Sequence, residues 1–387
     1  MLIAHAIRRL FLTLILVTGS VLFAQDTYFE FNNSAGSSDY PLGSRLITNA
    51  SYSNSSFSWS SIISDKSRAY LDVSHSQIFP FAEYSSSVGE LGLQLRYLKI
   101  KDNQVFAGLF AYLNRYHTEY SYYNSTGIGM YLKWKHYFKA TSVLTSGYDL
   151  DFKKFDEIAE ASNTEHEFYS SYTHSFKTKT SFNFKAAMAI QDFWTQSTLL
   201  GMGRNISIVT VDEIPSNRLI SSELRISQSL GPKLGLTLWL GTQSRLNNIG
   251  DSLSLQDGLE NPFTDRFRWE GPSASLRLLF RVNAKNTIQI NQSYIDKNYL
   301  GVPVYLFDFQ TMNYVLENDA LVAGGYDRAD QRQSLQISWT QIWPLHFSDL
   351  VTEIELGINS GWTQNSSNDP LYDYESMNYS ISINLNN

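Results

Sequence analysis

The chain has 387 residues, no cysteine and a formal net charge of −7 at pH 7. Without cysteine there is neither a disulfide framework nor a lipid anchor through an N-terminal Cys, and the acidic balance argues against a nucleic-acid partner. Aromatic residues make up 14% of the chain, with 24 Tyr, 23 Phe and 8 Trp; such a share suits aromatic girdles at two membrane interfaces, although the mean hydropathy is only −0.25.

The N-terminal segment has the form of a secretory signal. Arg8 and Arg9 precede the apolar stretch Leu10 to Val17, and Ala24 stands just before Gln25. That pattern predicts a cleaved signal over residues 1–24, with Leu22 departing from the small residue expected three positions before the cut. Its apolar core is too short to span a bilayer, and no later stretch is a transmembrane-helix candidate. Removing Arg8 and Arg9 leaves 28 Lys plus Arg against 37 Asp plus Glu, a mature balance of −9. Residues 25–387 are read as one outer-membrane β-barrel, with 25–66 forming its less regular N-terminal strands.

Strand composition begins at 27–35 and 45–63. Within the second segment Leu46, Thr48, Ala50 and Tyr52 change parity to Phe57, Trp59 and Ile63 after Asn54, which predicts a bulge or an added turn. Further strands are predicted over 67–76, 88–100, 104–117, 122–138, 141–154, 164–177, 180–194, 217–230, 233–246, 266–282, 285–299, 331–343, 348–362 and 371–386. The plainest alternation sets Phe182, Phe184, Ala186, Met188 and Ile190 against Asn183, Lys185, Ala187, Ala189 and Gln191, one face suited to lipid and the other to water. Tight turns occur at Lys101-Asp102-Asn103, Lys139-Ala140, Lys177-Thr178-Lys179, Gly231-Pro232-Lys233, Asn283-Ala284-Lys285 and Pro344-Leu345-His346. Longer connections lie at about 155–163, 195–216, 247–265 and 300–330. Short periplasmic turns and long outer loops orient a barrel of this class, so 247–265 and 300–330 face the exterior.

The fold class is therefore all-β: a transmembrane, antiparallel, up-and-down barrel. Sixteen strands are preferred; fourteen result if 27–35 and 45–63 are left out. A soluble β-sandwich is the alternative, but these segments exceed the roughly 9–11 residues needed to cross a bilayer at a tilt, whereas globular strands average about 5–6.

The lipid-facing parity carries Leu234, Leu236, Leu238 and Leu240; Ala274, Leu276, Leu278 and Phe280; Leu335, Ile337 and Trp339; and Tyr379, Ile381, Ile383 and Leu385. The opposite parity holds five charged pairs: Lys133 and Lys135, Asp149 and Asp151, Glu165 and Glu167, Arg277 and Arg281, and Glu353 and Glu355. An even spacing keeps each pair on one face: two residues, with Cα atoms about 7 Å apart, in four of the pairs, and four residues in Arg277 and Arg281. Two readings stay open. These residues select ions or a translocating chain in a charged lumen, or opposite signs pair between neighbouring strands and stiffen the wall, which the similar numbers of both signs favour.

No constellation points to catalysis, a cofactor or a metal site. His166 and His174 share a face but lie roughly 26 Å apart along a strand, too far to bind one ion; their parity is that of Phe168, Tyr172 and Phe176, which predicts interfacial packing. Asp251, Asp257, Glu260 and Asp265 share one exterior loop without the spacing of a calcium motif. Val302-Pro303-Val304-Tyr305-Leu306-Phe307 is too apolar to lie free in water, so that loop is expected to pack on the rim, enter the bore or meet a partner.

The segment Ser367-Asn368-Asp369-Pro370-Leu371-Tyr372-Asp373-Tyr374 precedes the alternating run Tyr379 to Leu385. Together with the strand-turn rhythm from about residue 88 it resembles the outer-membrane barrels attached to tetratricopeptide proteins, including surface lipoprotein assembly modifiers. The chain departs from that pattern in closing on Leu385-Asn386-Asn387 instead of an aromatic residue. Outer-membrane lipid and the barrel-assembly machinery are the expected partners, with another envelope protein added for a docking role. The expected function is a passive or partner-gated channel, porin-like, since a barrel this wide leaves an aqueous bore unless something fills it. The alternative is a non-conducting structural, receptor, adhesin or export-docking barrel.

Overall fold

In a computed structural model the chain closes into one antiparallel sheet of sixteen strands. The structure describes residues 27–41, 47–64, 66–79, 85–100, 102–194, 197–200, 207–210, 216–246, 266–308, 310, 313–317, 320–345, 352–370 and 372–386. The predicted signal over 1–24 and the predicted acidic loop 247–265 lie outside them.

The barrel strands, numbered in chain order, are β1 (Thr27–Pro41), β2 (Ile47–Ser64), β3 (Ser67–Phe79), β4 (Ser86–Ile100), β5 (Asn103–Tyr116), β6 (Ser125–Lys139), β7 (Ser142–Phe155), β8 (Asn163–Ser175), β9 (Thr180–Phe193), β10 (Ser216–Ser229), β11 (Leu234–Arg245), β12 (Gly271–Arg281), β13 (Asn286–Tyr305), β14 (Ala323–Pro344), β15 (Glu353–Ser367) and β16 (Tyr374–Asn386). Each pairs with its neighbour in sequence, and β1 closes the cylinder on β16, from Glu30 opposite Asn386 to Ser38 opposite Asn378. Closure satisfies both edges that an open sheet would expose.

The alternation read from sequence is an inside-out arrangement. Leu132 is 53% exposed, Phe184 45% and Ile381 56%, values that make sense only where the solvent of the outer face is hydrocarbon. Near the hairpin ends that face carries aromatic rings. Trp134, His136 and Phe138 contact one another with centroids 5.7 and 4.6 Å apart, and His174 stacks on Tyr172 and meets Phe176 edge-on at 4.3 Å. His166 meets the Tyr148 hydroxyl instead, 2.8 Å from its Nδ1. These histidines belong to a packed exterior face, as their parity required.

Turn chemistry explains the short ends. Asn283 Oδ1 accepts from the backbone N–H groups of Lys285 and Asn286 at 2.8 and 2.9 Å, an Asx turn that reverses the chain between β12 and β13. Lys179 takes φ 61° in the β8–β9 turn, and its N–H donates to the Phe176 carbonyl at 3.1 Å.

Two expectations are corrected. No bulge follows Asn54: the β1–β2 register runs unbroken from Thr27 opposite Ser61 to Pro41 opposite Ile47, and the β2–β3 register shifts only between Ile62 and Ser64. Ala50, Tyr52, Asn54, Ser56 and Ser58 share the inner face while Phe57 and Trp59 face outward. Apolar residues near the loop end of β2 thus sit inside the mouth instead of marking the lipid face. Nor is 300–330 one long loop, because β13 continues to Tyr305 and β14 starts at Ala323. Val302 to Tyr305 are strand, and Val304 is 1% exposed, so the first part of that apolar run belongs to the barrel wall, while Leu306 stays exposed.

Candidate functional site: a charged inner wall with a loop pinned across it

Register puts all ten charged candidates on the parity opposite the exposed apolar set. Around β5 to β8 this inner face is smoothed by rings lying on glycines. Tyr169 covers Gly147 and Tyr112 covers Gly127, so closely that a Cβ at either glycine would overlap the ring. The ring then places its hydroxyl: Tyr112 Oη donates to Asp151 Oδ2 at 2.7 Å.

The central feature is acidic. Asp149 stands directly opposite Glu167, and Asp151 opposite Glu165, on the adjacent strands β7 and β8. Like charges facing each other across a sheet are destabilising, so the β7–β8 facing itself supplies no opposite-sign pair; on this acidic patch the pairing expected between neighbouring strands is found only across β8 and β9 among the described residues. Compensation comes from two residues outside the predicted set. Lys185 on β9 reaches Glu167 Oε1 at 3.2 Å. Arg266, in the connection before β12, spreads its fork over two carboxylates, with Nη1 2.7 Å from Glu165 Oε1 and Nη2 2.6 Å from Glu167 Oε2.

Arg266 belongs to a segment folded against the inner wall. Gln243 Nε2 on β11 donates to the carbonyls of Arg266 and Trp269 at 3.0 and 2.8 Å. Phe267, 7% exposed, packs on Ala189 of β9 and Leu219 of β10. Trp269 lies 5.0 Å below Lys297 Nζ and lines a cavity of about 170 Å3 with Lys185, Glu223 and Gln243. From the start of β12 the segment therefore passes β11, β10 and β9 to reach β8, on the lumen side.

The other predicted pairs stay apart. Lys133 and Lys135 lie over the rings of Tyr131 and Phe106 at 5.5 and 5.3 Å. Arg277 packs on the Trp239 indole at 4.7 Å and its Nε donates to Asn291 Oδ1 at 2.9 Å. Arg281 sits at the hairpin end of β12. Glu353 and Glu355 accept from the side-chain amides of Asn386 and Asn384 at 3.1 and 3.2 Å. A cavity of about 340 Å3, lined by Tyr28, Glu30, Arg68, Tyr70 and Asp72, opens on the same side of the bore.

Sequence reading missed Arg266 because the predicted strand 266–282 begins too early. Carried back to 266, the parity of Leu276 and Leu278 would send Arg266 into lipid and Phe267 and Trp269 into water. That inversion is the signal that the strand starts later.

Neither a scan of protein-family models nor a search of curated proteins finds a match. Among solved structures the chain is similar to Acinetobacter baumannii OccAB1, with 11% identity, 94% of this chain and 97% of that chain covered, and a TM-score of 0.50. It is also similar to Pseudomonas aeruginosa OccK2 (OpdF), with 11% identity, coverage of 94% and 99%, and a TM-score of 0.49. The outer membrane protein OprD from Pseudomonas aeruginosa gives 11% identity, 94% coverage of both chains and a TM-score of 0.46. At this identity the likeness to OccAB1 is one of fold. With a closed wall of sixteen strands, an apolar exterior and a polar interior, the chain is a transmembrane β-barrel of the outer-membrane type.

Proposed function

We propose that the protein is a passive channel of the outer membrane whose bore is narrowed on the loop side by residues 266–270. The supporting observation is the inner wall itself: sixteen strands enclose an interior wide enough for water, and that interior is lined by charged and amide side chains around open cavities. The likeness in fold to OccAB1 accords with this reading. Lumen acids Asp149, Asp151, Glu165, Glu167, Glu353 and Glu355, with the mature balance of −9, suggest a weak cation preference, kept weak by Lys133, Lys135, Arg277 and Arg281. The test is conductance of the refolded mature chain in planar bilayers. Discrete ohmic steps support the channel; stable insertion without current, before and after trimming the loop between β13 and β14, sinks it.

The docking-barrel reading rests on a separate observation. The last hairpin resembles that of barrels attached to tetratricopeptide proteins, and the loop end presents the exposed apolar side chains of Leu306 and Tyr326, as contact surfaces do. Under that reading an envelope protein covers the loop end, and cross-linking from Tyr326 in intact cells captures it. Delivery by the barrel-assembly machinery is part of either reading.

A further inference from the structure

Four cations converge on one concave space at the hairpin end of the bore. Lys179 of the β8–β9 turn, Lys233 of the β10–β11 turn, and Arg277 and Arg281 of β12 line a cavity of about 460 Å3. No carboxylate lines it; Ser227, Thr237 and Gln289 supply neutral donors. None of the four cations makes an ion pair among the described residues, in contrast to Arg266 and Lys185 farther up the wall.

The cavity is built, not merely basic. Arg277 is aimed by two neutral groups, the Trp239 face at 4.7 Å and Asn291 Oδ1 at 2.9 Å, which fix the guanidinium and leave its charge uncompensated. A second guanidinium, Arg225, flanks the same indole at 5.5 Å. Lys179 is held by its left-handed φ of 61° and by the Ser229 N–H, which donates to its carbonyl at 3.1 Å. Among the described residues it is the one non-glycine with positive φ, a strained conformation that surrounding structure must hold in place.

We propose that this cavity is a binding pocket for a multivalent oxyanion, one carrying two or more phosphate or carboxylate groups. Guanidinium forks match the oxygens of both groups, and the volume falls in the range of small-molecule sites. Arg277 and Arg281 are four residues apart on one strand, about 13 Å between Cα atoms. A single small anion cannot satisfy both, whereas an extended anion can. The pocket lies at the periplasmic end of the barrel, given the usual placement of short turns, and it is a binding site whether or not the bore conducts.

The probe is tripolyphosphate, titrated calorimetrically at low salt into refolded mature barrel held in phosphatidylcholine nanodiscs. One saturable site is expected, weakened at least tenfold in Arg277→Gln/Arg281→Gln and unchanged in Lys66→Gln, a cation at a different turn. Lys179→Gln/Lys233→Gln, altered only at exposed turns, serves as the second variant and should also weaken binding at least tenfold, so a misfolded arginine variant cannot decide the matter. No saturable binding by the parent, or parent-like binding by both double variants, overturns the pocket. Repeating the titration in phosphatidylglycerol nanodiscs separates the sources: unchanged affinity assigns the pocket to a soluble anion, and competition assigns it to a lipid headgroup phosphate.

Discussion

Arg266 Nη2 lies 2.6 Å from Glu167 Oε2 although the two residues stand on opposite sides of three intervening strands. One guanidinium thus fastens an exterior connection to the inner wall and offsets part of the repulsion between β7 and β8. Replacing Arg266 with Gln should release the segment. The pair is partly solvated, so its direct worth is on the order of 1 kcal/mol. The sensitive readout is protease cleavage between β11 and β12, expected to accelerate severalfold, together with larger single-channel current. Unchanged cleavage and current would show that Gln243 and Phe267 hold the segment alone.

Glu167→Gln tests the same contact from the wall. It removes a partner of Arg266 but also relieves the facing of Glu167 and Asp149, so the single change should cost less than Arg266→Gln. In a double-mutant cycle the two should couple by about 0.5 kcal/mol or more. Additive effects in thermal unfolding would mean that the fork is not a working contact.

Facing can be tested on one strand pair. Leu278 stands opposite Ile290 on the exterior, whereas Gln289 stands opposite Leu279 on the inner face. Leu278→Arg should cost about 2–4 kcal/mol of barrel stability and Gln289→Arg close to nothing. Urea unfolding in lipid vesicles measures both; equal losses would invert the assignment.

Gly147→Val should force the Tyr169 ring off its seat, because no Cβ fits beneath it. Overpacking of this kind costs about 1–3 kcal/mol. Tyr169→Ala in the Gly147→Val background should recover part of that loss, and no recovery would assign the cost to the backbone instead.

Neutralising Glu353 and Glu355 together should move the reversal potential toward anions, because their hydrogen-bond partners Asn386 and Asn384 carry no charge. A salt gradient across a bilayer holding the double Gln variant reads this directly. An unmoved potential would place the selective region elsewhere in the bore.

N-terminal sequencing of protein recovered from the outer membrane should begin near Gln25. Recovery from the soluble periplasm or the inner membrane would remove the barrel from its membrane.

Much of the barrel was legible because period-two alternation and turn residues act locally. Phe182 to Gln191 sort into two faces without reference to any other strand, and Asn283 closes its own turn. The charged residues were legible as to face, since parity decides that, but not as to partner. Which carboxylate meets which cation depends on register between strands and on where a connection folds. Asp149 meets Glu167 because β7 and β8 align in that way, and Arg266 arrives from a segment distant in sequence. Near the mouths the lipid rule also lapses, which is why Ala50 and Tyr52 suggested a bulge that does not exist.

The pairing of β1 with β16 has a consequence for how the molecule is made. Every other seam joins neighbours in sequence and can zip as a hairpin, but this one joins the first barrel strand to the last. Its loop-closure cost falls due only after the final strand has emerged. Until then two long strands present unpaired backbone groups, open to pairing with other chains. The thirteen residues of β16 thus carry the closure of the whole wall: a chain truncated before Tyr374 keeps fifteen of its strands but loses the one on which β1 closes.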